Sequence, residues 1–196
     1  MCHTLVHDPK LYILLTEADD ERAARVRAAG CFCGGVLHSA RYRRKPRGIA
    51  REQRQCVYWR HSFCCNVDGC RSRHTPQSVF YLGRRVYLGA VMLLATALRC
   101  EVSGSALRRL CEVFGVPRAT LDQWRSWWNG ALLATPFWKV AAGQFMPPIS
   151  EVMPAAVLAR FTAGDPIARL LQVLHLLAPL STLTEGRAGV RSTRTS

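Results

Sequence analysis

Cys31-Phe32-Cys33-Gly34-Gly35 and, further along, Cys65-Asn66-Val67-Asp68-Gly69-Cys70 decide how this chain folds. Each is a cysteine pair with glycine beside or inside it, and glycine supplies the positive φ that a tight turn needs. Two such pairs a few tens of residues apart suit one tetrahedral metal ion held by four thiolates, and Zn²⁺ is the ion that set favours. Residues 31–73 are poor in apolar side chains, so a β ribbon there depends on the ion for its stability. The expectation is a closed structural site at Cys31, Cys33, Cys65 and Cys70, with Zn²⁺ as cofactor and no open position for catalysis. Two alternatives stay open. Cys64 adjoins Cys65, although adjacent strand residues point to opposite faces. The Cys31-x-Cys33 gap is tighter than usual, which leaves room for His38 or His61 as a substitute ligand. Cys2, Cys56, Cys100 and Cys111 lack such company and read as core or free thiols.

The charge balance is lopsided. Lys and Arg number 27 against 13 Asp and Glu, a formal net charge of +14 over 196 residues. A mean hydropathy of +0.01 still marks a chain that folds. Such a charge favours polyanions: DNA, RNA or an anionic membrane surface. Lys10, Lys45 and Lys139 are the only lysines. Arginine suits bidentate contacts with phosphate and guanine, though a GC-rich genome would also enrich it. Arg41-Tyr42-Arg43-Arg44-Lys45-Pro46-Arg47 opens a stretch to Arg54 that reads as an exposed basic loop. Arg41, Arg43, Arg44, Lys45 and Arg47 are its candidate phosphate contacts. The N-terminus does not read as an export signal, and the apolar stretch Val86–Leu98 falls short of the ~20 residues that span a bilayer. The expectation is a cytoplasmic, nucleoid-associated protein with reduced thiols, no membrane partner and no small-molecule substrate.

The predicted fold class is α+β, mostly α: a small β zinc ribbon followed by an all-α helix-turn-helix bundle. Residues 1–30 form an N-terminal helical segment, with Thr16 and Asp19 resembling a capping box and Gly30 able to stop the helix. Residues 31–78 form the ribbon with its basic loop. Val57, Trp59 and Phe63 fall on one strand face, Asp68-Gly69 makes a turn, and residues 75–78 form a linker. Residues 79–183 form the helical domain. Its apolar helix runs from about Arg84 to Leu98, Ser103-Gly104-Ser105 caps the next, and Asp165-Pro166 opens a last one. That last helix lines up Ile167, Leu170, Leu171, Leu174 and Leu177, a stripe that closes a core or a homodimer interface. Residues 184–196 form a disordered basic tail.

Within the helical domain, residues 105–128 read as a helix-turn-helix. Leu107, Leu110, Cys111 and Phe114 give the first helix its buried stripe. Gly115 sits at the sharp turn, Val116 plugs it, and Leu121 and Trp124 bury the second helix's inner face. The second helix then presents Arg118, Thr120 and Gln123 outward, where such motifs touch base edges. Arg118 suits guanine and Gln123 adenine, while Arg108, Arg109 and Arg125 suit phosphates. Trp127 and Trp128 cannot both face the core.

The order of these parts resembles the DNA-binding front end of bacterial insertion-sequence transposases. The resemblance rests on Cys31, Cys33, Cys65, Cys70 and the block Ala106–Trp128, and covers roughly residues 31–128. It implies double-stranded DNA as the partner. Those transposases add a catalytic domain with three metal-binding carboxylates. Here the only acids after Trp128 are Glu151, Asp165 and Glu185, in a stretch without alternating strands and helices. The expectation is therefore a zinc-dependent DNA-binding accessory or remnant of a mobile element and not an enzyme. The alternatives are a transcriptional regulator of the same architecture, or a transposase or nuclease with an unrecognised catalytic site.

Overall fold

The computed structural model describes residues 2–44, 47–48, 58–82, 87–99, 104–149 and 152–182. The fold is mixed α+β and mostly helical, as expected. After a 3₁₀ turn (Cys2–His7), α1 spans Pro9–Ala29. Its start is earlier than the Thr16 signal. Asp8 accepts the Lys10 N–H at 2.9 Å and Pro9 occupies the first turn, a stronger start than a Thr-x-x-Asp pattern. Thr16 lies inside the helix and donates its hydroxyl to the Tyr12 carbonyl at 2.8 Å. The helix stops at Gly30, with φ 70.

Among the described residues five short strands follow: β1 (Leu37–Ser39), β2 (Tyr42–Arg44), β3 (Tyr58–Arg60), β4 (Phe63–Cys65) and β5 (Arg73–His74). They pair antiparallel in two sheets, β1-β4-β5 and β2-β3. Trp59 and Phe63 thus belong to different sheets and not to one strand face, because His61 and Ser62 carry the chain across. Val57 lies outside the described residues. The expected basic loop opens instead as strand β2, with Arg43 opposite Trp59 and Arg44 opposite Tyr58. The arginines have aromatic surface to lie on, which favours pairing over a free loop: Arg41 and Arg43 sit 4.6 and 5.3 Å from the Trp59 ring centre, and Arg44 4.3 Å from that of Tyr81. Lys45 and residues 49–54 lie outside the described residues. Arg47 is exposed, and its carbonyl accepts the Leu88 N–H at 3.1 Å.

The helical body comprises α2 (Gly89–Arg99), α3 (Ser105–Phe114), α4 (Arg118–Ser126), a π turn (Trp127–Ala131), α5 (Leu132–Ala134), α6 (Pro136–Ala142), α7 (Ala155–Arg160) and α8 (Pro166–Leu177). α2 is apolar on all sides and sits at the centre, against α3, α4, α7, α8 and the N-terminal 3₁₀ turn. It begins at Gly89, and residues 83–86, where its start was expected, lie outside the described residues. No described helix is long and apolar enough to cross a membrane. α8 opens as expected: Asp165 accepts the Ala168 N–H at 2.8 Å, and Ile167, Leu170, Leu174 and Leu177 are buried in the chain's own core. The tail 184–196 lies outside the described residues.

Two apolar clusters result. The large one gathers the helical body, and the small one comprises Ala23, Cys31, Leu37, Phe63 and Cys65. Helix α1 serves both, giving Leu11, Tyr12, Leu15 and Ala18 to the first and Ala23 to the second. A buried polar joint ties them where a linker was expected. Asp19 accepts from the Ser78 hydroxyl at 2.5 Å and the Val79 N–H at 2.7 Å, and Arg60 donates to the Pro76 carbonyl at 2.6 Å. Burial holds the Asp19 carboxyl above its ordinary range, against the opposing pull of its hydrogen bonds to Ser78 and Val79 and of the Arg60 charge.

Candidate metal centre

Each cysteine pair sits on a backbone knuckle. In the first, the Gly34 N–H donates to the Cys31 carbonyl at 2.8 Å and the Cys31 N–H to the Gly35 carbonyl at 3.0 Å. In the second, the Cys70 and Arg71 N–H groups both reach the Val67 carbonyl, at 3.1 and 3.2 Å. Gly69 takes φ 87 there, the positive value expected of the Asp68-Gly69 turn. Asn66 locks the knuckles together: its side-chain oxygen accepts the Val36 N–H at 2.9 Å, and its own N–H reaches the Val36 carbonyl at 3.0 Å. Gly35 must be glycine, because a Cβ would stand 2.6 Å from Val67 Cγ2 and 2.7 Å from Cys65 Sγ.

This geometry brings Cys31, Cys33, Cys65 and Cys70 together. Their sulfurs all lie within 4.8 Å of one another, with Cys31–Cys70 at 3.6 Å and Cys33–Cys65 at 3.5 Å. All four are free thiols. A tetrahedron with metal–sulfur bonds of about 2.3 Å has edges of about 3.8 Å, so the quartet is close enough to hold a metal ion. The open alternatives fall away. Cys64 turns its sulfur to the carbonyls of Cys65 and Arg71, at 3.7 and 3.6 Å. His61 is engaged by Asp20 at 2.7 Å, and His38 is exposed on β1 across from Cys64.

A second layer surrounds the sulfurs. The Val67 N–H reaches Cys65 Sγ at 3.5 Å, the Ser72 hydroxyl lies 3.1 Å from Cys70 Sγ, and His74 Nε2 lies 3.3 Å from Cys31 Sγ. Such partners orient ligands and tune their basicity. His74 was not legible as part of the site, since only the β4–β5 register carries it there. The Ser72 hydroxyl and N–H, then Cys33 and Cys31, hold the Cys70 thiol down to about 6. The Val67 N–H lowers the Cys65 thiol, but burial and the other three sulfurs outweigh it and push that thiol up to about 12. A quartet that resists holding four negative charges alone is what a dication would relieve.

The helix pair α3–α4 is built as its sequence implies. Gly115 takes the left-handed conformation at φ 59, and the Val116 N–H closes the turn on the Cys111 carbonyl at 2.9 Å. The Pro117 carbonyl accepts from Thr120 and Leu121 at 3.0 and 3.2 Å, which starts α4. Leu107, Leu110, Phe114, Val116, Leu121 and Trp124 are buried, and Cys111 is half-buried. Arg108, Arg109, Arg118, Gln123 and Arg125 are exposed, and Thr120 is half-buried. Arg118 also meets Asp122 at 3.7 Å, an exposed pair one turn on. Trp128 is fully buried and Trp127 half-buried, which resolves their competition.

Sequence reasoning missed how α4 is anchored. Its helix continues through the π turn, and the Asn129 side chain there holds Met153, accepting its N–H at 3.0 Å and donating to its carbonyl at 3.1 Å. Compared with protein-family models, curated proteins and solved structures, the chain matches none.

Proposed function

We propose that this is a zinc-dependent protein that binds double-stranded DNA, reading it with the first turns of α4, in a transposition-linked role. The observation that carries the reading is the α3–Gly115–α4 corner. Its inner face is buried against α2, and its outer face offers Arg118, Gln123 and Arg125 to solvent. The exposed Arg108 and Arg109 on α3, with the chain's net charge of +14, supply the sequence-independent attraction to phosphate. The four-thiol cluster supports Zn²⁺ as the resident ion, because a closed sulfur-only set is the donor chemistry of structural zinc.

The link to transposition rests on the order of parts. We assign binding and not strand transfer: of the three acids after Trp128, Asp165 is committed to capping α8. A homodimer through α8 would have to use its outward residues Arg169, Gln172 and His175, since its apolar stripe packs inside the chain.

Selection of bound duplexes from a random pool, with and without chelator, tests the reading. Inverted-repeat ends would support the transposition link, and a promoter-like palindrome would point to regulation. No enrichment of any sequence would overturn base readout by α4. Gln123→Ala should change the preferred sequence, whereas Arg109→Ala should weaken all duplexes alike.

A further inference from the structure

A groove of about 490 Å³ runs between the second half of α1 and the ribbon. Ala23, Ala24 and Ala28 form its helical wall, with Phe63 on the ribbon side, and Ser39, Arg27, Arg41 and His61 supply the polar groups. Alanines on the wall let a ligand's backbone approach the helix closely. Neither Arg27 nor Arg41 has a carboxylate partner among the described residues, and both are exposed. The acid beside the groove, Asp20, is taken up by His61 at 2.7 Å.

Arg41 is also pre-positioned. Its guanidinium lies 4.6 Å over the Trp59 ring, with Arg43 on the same indole at 5.3 Å. Stacking uses the face of a guanidinium and leaves its N–H edge free for a bidentate contact with two oxygens. The groove therefore combines two arginines with no carboxylate partner among the described residues and a hydroxyl over an apolar floor. This is the chemistry of a phosphodiester site and not of a neutral metabolite.

We infer that this groove is a second nucleic-acid contact, distinct from α4, in which Arg27 and Arg41 hold a backbone phosphodiester against the ribbon. It extends the proposed function by adding a contact that carries no sequence information. The phosphodiester can come from the same duplex that α4 reads or from a single strand.

The test uses the zinc-loaded chain with two probes, the random-pool duplexes together with any that selection recovers from them, and an octathymidylate that a groove-reading helix cannot use. The variants are Arg27→Gln and Ala24→Glu, which places a carboxylate at an exposed wall position of a helix that tolerates it. Zinc content and melting temperature serve as controls for folding.

If the duplex supplies the phosphate, Arg27→Gln flattens the log affinity against log salt slope by about 0.9, without altering sequence preference. If a single strand supplies it, octathymidylate binding quenches tryptophan emission through Trp59, and Ala24→Glu abolishes the quenching. Wild-type behaviour of both variants toward both probes would overturn the groove site and leave the α4 reading standing. Octathymidylate binding lost in Ala24→Glu, with no duplex bound by the wild type, would overturn the α4 reading and leave the groove standing. Binding of neither probe by the wild type would overturn both.

Discussion

The ribbon's cluster buries five residues, Leu37, Phe63, Cys31 and Cys65 with Ala23 from α1, and two of those belong to the four-thiol group. The helical body buries Trp128, Phe114, Met92, Leu93, Leu121 and Leu132 among many others, and α2 runs through its centre. The first region has too little apolar surface to fold unaided, and the second has enough. On the proposed zinc reading the two regions draw stability from different sources: coordination in one, burial in the other. Helix α1 is shared, so its two halves should answer to different perturbations.

The largest break in that symmetry is metal removal. Structural Zn²⁺ contributes on the order of 10–16 kcal/mol of apparent folding free energy in small fingers. Chelation should therefore abolish amide protection across residues 31–44 and 58–74 and fray α1 beyond Ala23. Protection in α2, α4 and α8 should survive. Hydrogen exchange followed by mass spectrometry reads both, and a proportionate loss across the helical body would erase the distinction between the regions.

Next comes Trp128→Ala, which empties a fully buried site in the body and should cost about 3–5 kcal/mol. Zinc stoichiometry should not change, and denaturant melts paired with metal analysis check it. Gly35→Ala should do the reverse. Its new methyl collides with Cys65 Sγ and Val67, so metal affinity should fall about 10–100-fold, the loss typical of a disturbed second layer, with the body's melt unchanged. A competition titration against a chromophoric chelator measures that.

The smallest effect belongs to Gly115→Ala. Open space surrounds that position, so only the left-handed backbone resists, at about 1–2 kcal/mol. Loss of duplex binding well beyond that destabilisation would mean that the turn sets the pose of α4 and does not merely tolerate it.

Much of this contrast is legible in the sequence, and the parts that are not share a physical cause. Cysteine spacing and glycine placement pick out the quartet, because coordination demands specific atoms at specific turns. The helix pair is legible for the same reason: Gly115 and Pro117 are local signals. Strand assignment around Trp59 and Phe63 is not, since a two-residue crossing between sheets looks like one alternating strand. The position of His74 beside Cys31 and the Asp19–Ser78 joint depend on tertiary register, which no local pattern carries. The early start of α1 was available in Asp8-Pro9, and the weaker Thr16 pattern obscured it.

If Cys31, Cys33, Cys65 and Cys70 hold the ion, X-ray absorption at the zinc edge on the purified chain should find one zinc per chain with four sulfur neighbours at about 2.3 Å, retained in Cys64→Ser and lost in Cys70→Ser. Substoichiometric metal, a first shell containing nitrogen or oxygen, or an equal loss in Cys64→Ser would contradict that assignment.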